Sequence, residues 1–391
     1  MYQGRTAAAI TPPVRIDADF DGGSIIVVGD VYGAGELGVA LALRPDNASS
    51  LRRWFCFRSW GEPGEVRRFC IVDAEDAEFA AGWDGYQVCA SYDGEDWFRV
   101  ATRYDEGALF FEHAPSRRGI TFAAFATYPH ARMRRLVERA RRSGRARVRV
   151  LGETVQGRPI PAISFGEEGP SAARIWIIAR QHPGETMAAW CAEGIVERLL
   201  DASDPVTAAL AEEAIVTVVP SMNIDGGVLG NHRTNAAGYN LNRAWDAPDL
   251  ATTPEVFAAR SALLESGVDL FLDVHGEETL PYVFAAGCEG NPGYSERIAR
   301  LERTFEEVLA MMDPSFSPDQ GYAPEAPGRD NLECAANWVG ERFDCLSLTL
   351  EMPFKDDMFH PRPGRGWSPG RSRRFGRAVL EASLLVLPQL R

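Results

Sequence analysis

The sequence lacks several features that would assign it to common classes of protein. Its seven cysteines are scattered over 391 residues without a Cys-x-x-Cys pair, which argues against a thiolate metal site. We therefore expect reduced, mostly buried thiols in a cytoplasmic protein. No apolar run approaches the roughly 18–20 residues of a transmembrane helix. The first residues also show no basic start followed by an apolar stretch, so no secretory signal is predicted.

Positive charge is also scarce. The chain has 41 Lys and Arg residues against 55 Asp and Glu residues, a formal net charge of −14. This balance argues against a nucleic-acid partner or an anionic membrane. Lys355 is the only lysine. Because an ammonium is more compact than a guanidinium, Lys355 either meets an acidic side chain of a substrate or, as we favour, anchors a loop carboxylate such as Asp356.

The length and composition predict a globular protein of two domains. Apolar residues make up 45% and charged residues 25% of the chain. From about residue 14, short segments rich in aromatic and β-branched residues, such as the single strand predicted at 97–104, alternate with turns such as Asp93-Gly94. This pattern predicts a β-sandwich. After Tyr128, apolar strand runs alternate with amphipathic helices, which predicts an α/β domain with a buried sheet. The clearest of these segments are strands at 173–180 and 345–351 and helices at 186–200 and 373–387. We therefore place one domain at 1–127 and the other at 128–391.

Three predicted strands of the second domain end in polar residues that are costly to bury without a function. His182 and Glu185 follow the first strand, His275 follows the second, and Glu351 ends the third. Two imidazoles and a carboxylate suit a catalytic Zn²⁺ ion with an open fourth position. A further carboxylate, Glu351, can take a proton from the metal-activated water. Asp273 points the same way as His275 along an extended strand and is expected to orient its imidazole.

The segment 221–245 is long, irregular and rich in Gly and Asn. It offers Arg233, Asn242 and Arg243, and a guanidinium beside an amide presents paired donors to a terminal carboxylate. Two alternatives stay open at this point. Arg243 could form an ion pair with Asp246 instead, and Arg233 could be solvated.

An ordered set of motifs resembles the zinc metallocarboxypeptidases, the family of pancreatic carboxypeptidase A, and most closely its cytosolic carboxypeptidase-like branch. The motifs are HPGE (182–185), N-x-D-G (223–226), GNHRTN (230–235), NLNRAW (240–245), DVHG (273–276) and TLEMPFKD (349–356). A lone His-x-x-Glu is a weak signal, whereas the ordered set is specific. The resemblance covers almost the whole chain. It implies an N-terminal antiparallel β-sandwich followed by an α/β zinc-carboxypeptidase domain with a mixed central sheet.

The resemblance also implies a role for each site residue. His182, Glu185 and His275 would hold one Zn²⁺ ion, Glu351 would act as the general base, Asn242 and Arg243 would hold the C-terminal carboxylate of the substrate, and Arg233 would polarise the scissile carbonyl and stabilise the oxyanion. The implied reaction removes the C-terminal amino acid from a peptide or protein tail. The family usually has a tyrosine near the base, and Tyr322 is either that residue or a loop aromatic covering the core.

Two other functions stay open from the sequence. A zinc amidohydrolase that acts on N-acyl amino acids, as aspartoacylase-like enzymes do, has a similar ligand pattern, but the N-terminal sandwich and the NLNR segment favour a carboxypeptidase. A non-catalytic peptide-binding scaffold is disfavoured because ligands, base and carboxylate receptor are all present. The sequence does not indicate which side chain is removed or whether the protein forms oligomers.

Overall fold

The architecture is taken from a computed structural model, which describes residues 14–33, 36–169, 171–323, 326 and 331–390. Aromatic and β-branched residues of the first third form short strands in two five-stranded sheets. The strands are β1 (Arg15–Asp17), β2 (Ile26–Gly33), β3 (Glu36–Ala42), β4 (Cys56–Trp60), β5 (Arg67–Ile71), β6 (Val88–Ser91), β7 (Trp97–Val100), β8 (Thr102–Asp105), β9 (Ala108–His113) and β10 (Gly119–Ala123).

The two N-terminal sheets face each other across an aromatic core. Their strand orders are β1-β4-β10-β6-β7 and β2-β3-β5-β9-β8. The described pairings are antiparallel except that of β3 with β5, which is parallel. Phe57 and Phe122 of the first sheet meet Phe69 and Phe111 of the second, with ring centroids 5.2–6.5 Å apart across the interface. The predicted N-terminal sandwich is confirmed.

Apolar strand runs and amphipathic helices alternate through the rest of the chain, as predicted. The strands are β11 (Ala146–Glu153), β12 (Pro159–Phe165), β13 (Ala173–Ala179), β14 (Ala214–Val219), β15 (Leu270–Val274), β16 (Phe284–Ala286) and β17 (Leu346–Glu351). The helices are α1 (His130–Arg142), α2 (Thr186–Leu199), α3 (Pro205–Glu213), α4 (Ile224–Leu229), α5 (Pro254–Ser266), α6 (Glu296–Met312), α7 (Ala335–Phe343) and α8 (Pro369–Val386). No helix among the described residues is long and apolar enough to cross a membrane.

The seven strands form one mixed sheet in the order β11-β12-β14-β13-β15-β17-β16. The four inner strands β14, β13, β15 and β17 run parallel, while β11, β12 and β16 pair antiparallel at the two sides. Ala179 is in register with Val274, and Val274 with Leu350. The carboxyl ends of β13, β15 and β17 therefore lie side by side, where an α/β sheet places its site.

The N-terminal sheets and one face of the mixed sheet share a continuous core. A single cluster of buried apolar side chains includes Phe57 and Phe122 from the N-terminal sheets as well as Ile177 and Leu272 from the mixed sheet. A second cluster covers the opposite face of the mixed sheet beneath α5 and α7. The N-terminal sheets are therefore packed onto the mixed sheet by buried apolar surface, which favours a fixed arrangement.

Several elements differ from the sequence prediction. The continuous strand predicted at 97–104 is two strands, β7 and β8, because the chain crosses from one N-terminal sheet to the other. The sequence patterns also do not indicate β1–β3, β16, α3, α4 or α7. In β2 the apolar residues Ile26, Val27 and Val28 are exposed, so this strand does not show the alternation of a half-buried strand.

Replacing Gly194 with Ala tests the close packing of α2 on α8. A Cβ atom at this position would lie 2.2 Å from the backbone oxygen of Arg373. The helices would have to separate, so we expect the free energy of unfolding to fall by about 1–3 kcal/mol. The matched control is Gly370→Ala in the first turn of α8, where a Cβ meets nothing within 4 Å and helix propensity favours alanine by about 1 kcal/mol. Urea denaturation measures the stability of both variants. Equal denaturation midpoints for Gly194→Ala and Gly370→Ala would contradict the close packing of α2 on α8.

Candidate active site

The loop after β13 is turned by an unusual backbone conformation. Arg180 has a φ of +58°, a left-handed conformation that costs a non-glycine residue roughly 1–2 kcal/mol. Its buried guanidinium donates to the backbone oxygens of Pro183 at 2.8 Å and Tyr128 at 2.9 Å. These hydrogen bonds hold the turn that sends the next residues, 181–185, across the sheet edge.

Three sequence-predicted residues meet at this edge. His182 Nδ1 lies 2.7 Å from Glu185 Oε1, and His275 Nδ1 lies 2.8 Å from Glu185 Oε2. One donor atom from each of the three residues falls within 4.8 Å of the others. The side chains are almost fully buried, with 3%, 2% and 2% of His182, Glu185 and His275 exposed. The structure therefore brings the predicted ligand set together.

The outer nitrogen of each imidazole faces an oxygen acceptor. His182 Nε2 lies 3.0 Å from Asn240 Oδ1, and His275 Nε2 lies 2.9 Å from Asp273 Oδ2. Asp273 is held in turn by the Gln181 amide at 2.6 Å. The predicted position of Asp273 behind His275 is found. Neither Asn240 nor Gln181 has a role predicted from sequence, although both lie within or beside the motifs HPGE and NLNRAW.

Burial and mutual charge shift the pKa values of the cluster. Burial, reinforced by the nearby Arg233, lowers the pKa of His182 to about 4. Burial acts to raise the pKa of Glu185, but the two imidazoles outweigh it and hold that pKa well below its usual range. Burial opposes protonation of His275, yet Asp273 and Glu185 raise its pKa well above normal. Near neutral pH the pocket thus favours an ionised Glu185 between a neutral His182 and a protonated His275.

The donor set fits a zinc ion. Both Nδ1 atoms point at the Glu185 carboxylate, while each Nε2 faces an acceptor that favours a proton on that nitrogen. A neutral imidazole protonated at Nε2 presents its Nδ1 lone pair. Two such nitrogens and a carboxylate oxygen are the ligands of many catalytic zinc sites. His182, Glu185 and His275 can therefore hold one zinc ion.

Glu351 lines the same cavity at the end of β17. Burial raises its pKa well above the usual value; His275 opposes the shift, and the carboxylates of Glu185 and Glu277 reinforce it. Among the described residues, its Oε2 atom has no hydrogen-bond partner. Tyr322 places its hydroxyl 3.2 Å from Glu351 Oε1 and 2.6 Å from Glu277 Oε2. Of the two readings of Tyr322 from sequence, the position beside Glu351 is the one observed.

The three residues predicted to bind the substrate also line this cavity. Its volume is about 400 Å³, and Arg233, Asn242 and Arg243 line it together with the His–Glu–His cluster. Asn242 Oδ1 accepts from the backbone N–H of Ala335 at 2.8 Å, which leaves its NH₂ group to donate. Arg243 donates to the backbone oxygen of Asn242 at 2.6 Å and to Cys334 Sγ at 3.0 Å. A larger groove of about 1500 Å³ along α1 contains none of these residues.

Arg233 and Lys355 differ in their relation to the cavity. The Arg233 side chain is only 13% exposed, so it is not the solvated surface residue of the alternative reading. Its Nε lies 3.7 Å from Glu78 Oε2, and its guanidinium lies over the Phe79 ring. Lys355 does not line the cavity. Burial lowers its pKa, and the carboxylate of Asp84 opposes that shift.

A mixed sheet with a buried His–Glu–His cluster beyond the ends of its parallel strands defines an α/β metallohydrolase. The family model for the zinc carboxypeptidases matches residues 133–365, and that for the cytosolic carboxypeptidase N-terminal domain matches residues 16–125. The chain therefore belongs to the zinc carboxypeptidase family and is a peptide hydrolase. The resemblance inferred from the motifs is confirmed, and peptide hydrolysis is supported over the amidohydrolase and scaffold alternatives.

Individual relatives extend over different shares of the chain. An uncharacterised protein of Zymomonas mobilis is 39% identical over 379 residues, which cover 96% of this chain and 97% of that protein. A metallo-carboxypeptidase from Pseudomonas aeruginosa, solved in complex with (2-guanidinoethylmercapto)succinic acid, is 45% identical with a TM-score of 0.92, covering 96% of this chain and 100% of that one. Mouse cytosolic carboxypeptidase 4 is 28% identical over 69% of this chain, but the match spans only 29% of that longer protein.

Substitution of Asp273 by Asn tests the support behind His275. The change removes the charged acceptor at Nε2, and loss of such a partner typically weakens metal binding by 10–100-fold. We expect a zinc affinity lower by about that factor, measured by competition with a chromogenic chelator. Ser347→Ala is the control, because Ser347 is buried on the neighbouring strand and bonds to Ala336 away from the cluster. Equal zinc affinities in Asp273→Asn and wild type would refute the role.

Proposed function

We propose that this chain is a zinc-dependent carboxypeptidase that removes the C-terminal amino acid from peptides or protein tails. The observation that carries the proposal is the meeting of His182, Glu185 and His275 within 4.8 Å, in a cavity that Glu351 also lines. Membership of the zinc carboxypeptidase family supports the same reaction. The cytoplasmic location inferred from the cysteines stays a prediction, in line with the name of the cytosolic carboxypeptidases among the relatives.

Different residues of the cavity would bind different parts of the substrate. Arg243 and the amide NH₂ group of Asn242 would hold the terminal carboxylate, since a guanidinium and an amide offer several donors in a fixed arrangement. Arg233 lies against the N-terminal sheets and reaches the same cavity, where it would stabilise the negative charge that develops on the scissile carbonyl oxygen. Binding the carboxylate places the last peptide bond beside the cluster.

The chemistry then needs one proton acceptor that can also return the proton. A zinc ion held by His182, Glu185 and His275 would supply Lewis acidity and would lower the pKa of a water molecule to about 7. Glu351 takes the proton from the attacking water and delivers it to the leaving amine. Burial and neighbouring carboxylates raise its pKa, which suits a group that must both accept and donate near neutral pH. The Tyr322 hydroxyl beside Glu351 would orient that carboxylate or the substrate.

Two substitutions distinguish the role of the proton acceptor from that of the metal ligands. Glu351→Gln keeps a side chain of the same shape but cannot accept a proton, so we expect bound zinc and a kcat lower by about 10²–10⁴-fold. His182→Ala removes a ligand, so we expect loss of the zinc itself. Zinc content and peptide hydrolysis are measured on the same samples.

The control for these two variants is His113→Ala. His113 lies in the N-terminal sheets, 3.2 Å from the Tyr92 hydroxyl and outside the cavity, so zinc and turnover should stay at the wild-type level. Full turnover by Glu351→Gln, or stoichiometric zinc in His182→Ala, would contradict the assigned roles.

We further infer that the enzyme prefers a basic C-terminal residue. Among the described lining residues, Arg233 and Arg243 are engaged by the substrate backbone in the proposed reaction, while Glu277, Glu278 and Glu289 add negative charge to the wall. The P. aeruginosa relative is in complex with a molecule whose name combines a guanidino group and succinic acid. A carboxylate such as Glu289 would pair with a cationic side chain.

Peptides that differ only in the last residue test this preference. C-terminal Lys and Arg should give a higher kcat/KM than Glu or Leu, and Glu289→Gln should reduce the preference by up to about 5-fold, the range for a partly exposed ion pair. Glu296→Gln is the control, since Glu296 is on α6 with its side chain 95% exposed and lies outside the cavity. Faster release of Glu than of Lys or Arg would overturn the inference.

A further inference from the structure

A carboxylate from the N-terminal region is buried against the loop that carries Arg233. This loop, residues 231–236, is called the arginine loop below. Asp46 lies in the connection between β3 and β4 and is only 4% exposed. Its side chain reaches residues 232–234, which are 186–188 positions further along the chain. A buried carboxylate is costly unless donors surround it, so the contacts of Asp46 account for its position.

Asp46 accepts hydrogen bonds from three consecutive residues. Its Oδ1 accepts the backbone N–H of His232 at 2.6 Å, and its Oδ2 accepts the backbone N–H groups of Arg233 and Thr234, each at 2.8 Å. The Thr234 hydroxyl adds a fourth bond at 3.1 Å. Successive N–H groups that converge on one anion form a well-defined concave site. The carboxylate therefore sets the direction of the backbone on both sides of Arg233.

Neighbouring contacts hold the same loop from the same side. The Asn47 backbone N–H donates to Asn231 Oδ1 at 3.2 Å, and the Asn47 side chain donates to the Ala236 oxygen at 2.5 Å. The guanidinium of Arg53 donates to the backbone oxygens of Glu78 and Phe79, each at 2.8 Å. The side chains of those two residues lie against Arg233.

We propose that Asp46 is a positioning residue of this enzyme, which holds the backbone of 232–234 so that the Arg233 guanidinium stays beside the scissile bond. The N-terminal sheets are then part of the catalytic apparatus, because they fix both the backbone and the side chain of Arg233. This inference rests on the proposed carboxypeptidase function for its kinetic consequence. Its structural consequence, the ordering of the loop, does not depend on that function.

The kinetic test asks whether Asp46 acts through Arg233. Misplacing a catalytic group by about 1 Å can cost 10²-fold, so we expect Asp46→Ala to lower kcat by about 100-fold with a smaller change in KM. Zinc content should stay at the wild-type level. In an Arg233→Ala background, adding Asp46→Ala should have little further effect, because the group that it positions is already gone. Multiplicative losses in the double variant, or loss of zinc from Asp46→Ala, would overturn the proposal.

Asp73→Asn is the matched control. Asp73 is a carboxylate of the N-terminal sheets that also accepts a backbone N–H, that of Leu43 at 2.9 Å, but it does not reach the arginine loop. The Asp73→Asn variant should have a lower melting temperature than the wild type but the same kcat. If both variants lose kcat in proportion to their loss of stability, Asp46 has a structural role only.

Hydrogen exchange gives a readout that needs no activity. In Asp46→Asn, which keeps the size of the side chain and gives a folded variant if the alanine does not, the amides of His232, Arg233 and Thr234 should exchange faster than in wild type or Asp73→Asn. Unchanged exchange at these amides would overturn the proposal even if turnover falls. Conversely, the wild-type protein could hydrolyse none of the test peptides while Asp46→Asn still shows the faster exchange. That result would refute the proposed function and leave the positioning role standing.

Discussion

The site depends on one buried carboxylate shared by two imidazoles. Glu185 is 2% exposed, and a lone carboxylate at such a depth would be strongly destabilising. Its two oxygens lie 2.7 Å and 2.8 Å from the Nδ1 atoms of His182 and His275. Those residues follow adjacent parallel strands, so the register of β13 with β15 decides whether they meet. The left-handed turn at Arg180 and the supports of Asn240 and Asp273 all serve this arrangement.

The N-terminal sheets are joined to this site by two kinds of interaction. Their aromatic core is continuous with the apolar residues beneath the mixed sheet, which fixes the position of one part of the protein on the other. Buried polar contacts then place specific groups. Asp46 bonds to the backbone of Arg233, and Arg53 holds residues 78–79, which lie against the Arg233 side chain. Apolar burial gives the attachment its strength, and the directed hydrogen bonds give it its geometry.

Much of the fold follows from local sequence patterns. Long amphipathic or apolar segments, such as α2, α8, β13 and β17, were predicted within a few residues of their observed ends because their periodicity reflects burial directly. Strands with exposed apolar residues, such as β2, and short helices such as α4 carry no comparable pattern. The sequence pattern also does not indicate the crossing from β7 to β8, since both strands look alike in sequence and only the packing of the two sheets separates them.

The sequence by itself determined which chemistry is available: two histidines and two glutamates at the ends of apolar strands, and arginines with an asparagine in one irregular segment. Side-chain type and strand-end position are local properties, so they can be read without coordinates. Only the tertiary structure decided that Tyr322 approaches Glu351, that Asn240 faces His182 and that Asp46 holds the arginine loop. These contacts join residues far apart in the chain, and they arise from strand register and sheet packing, which no local pattern encodes.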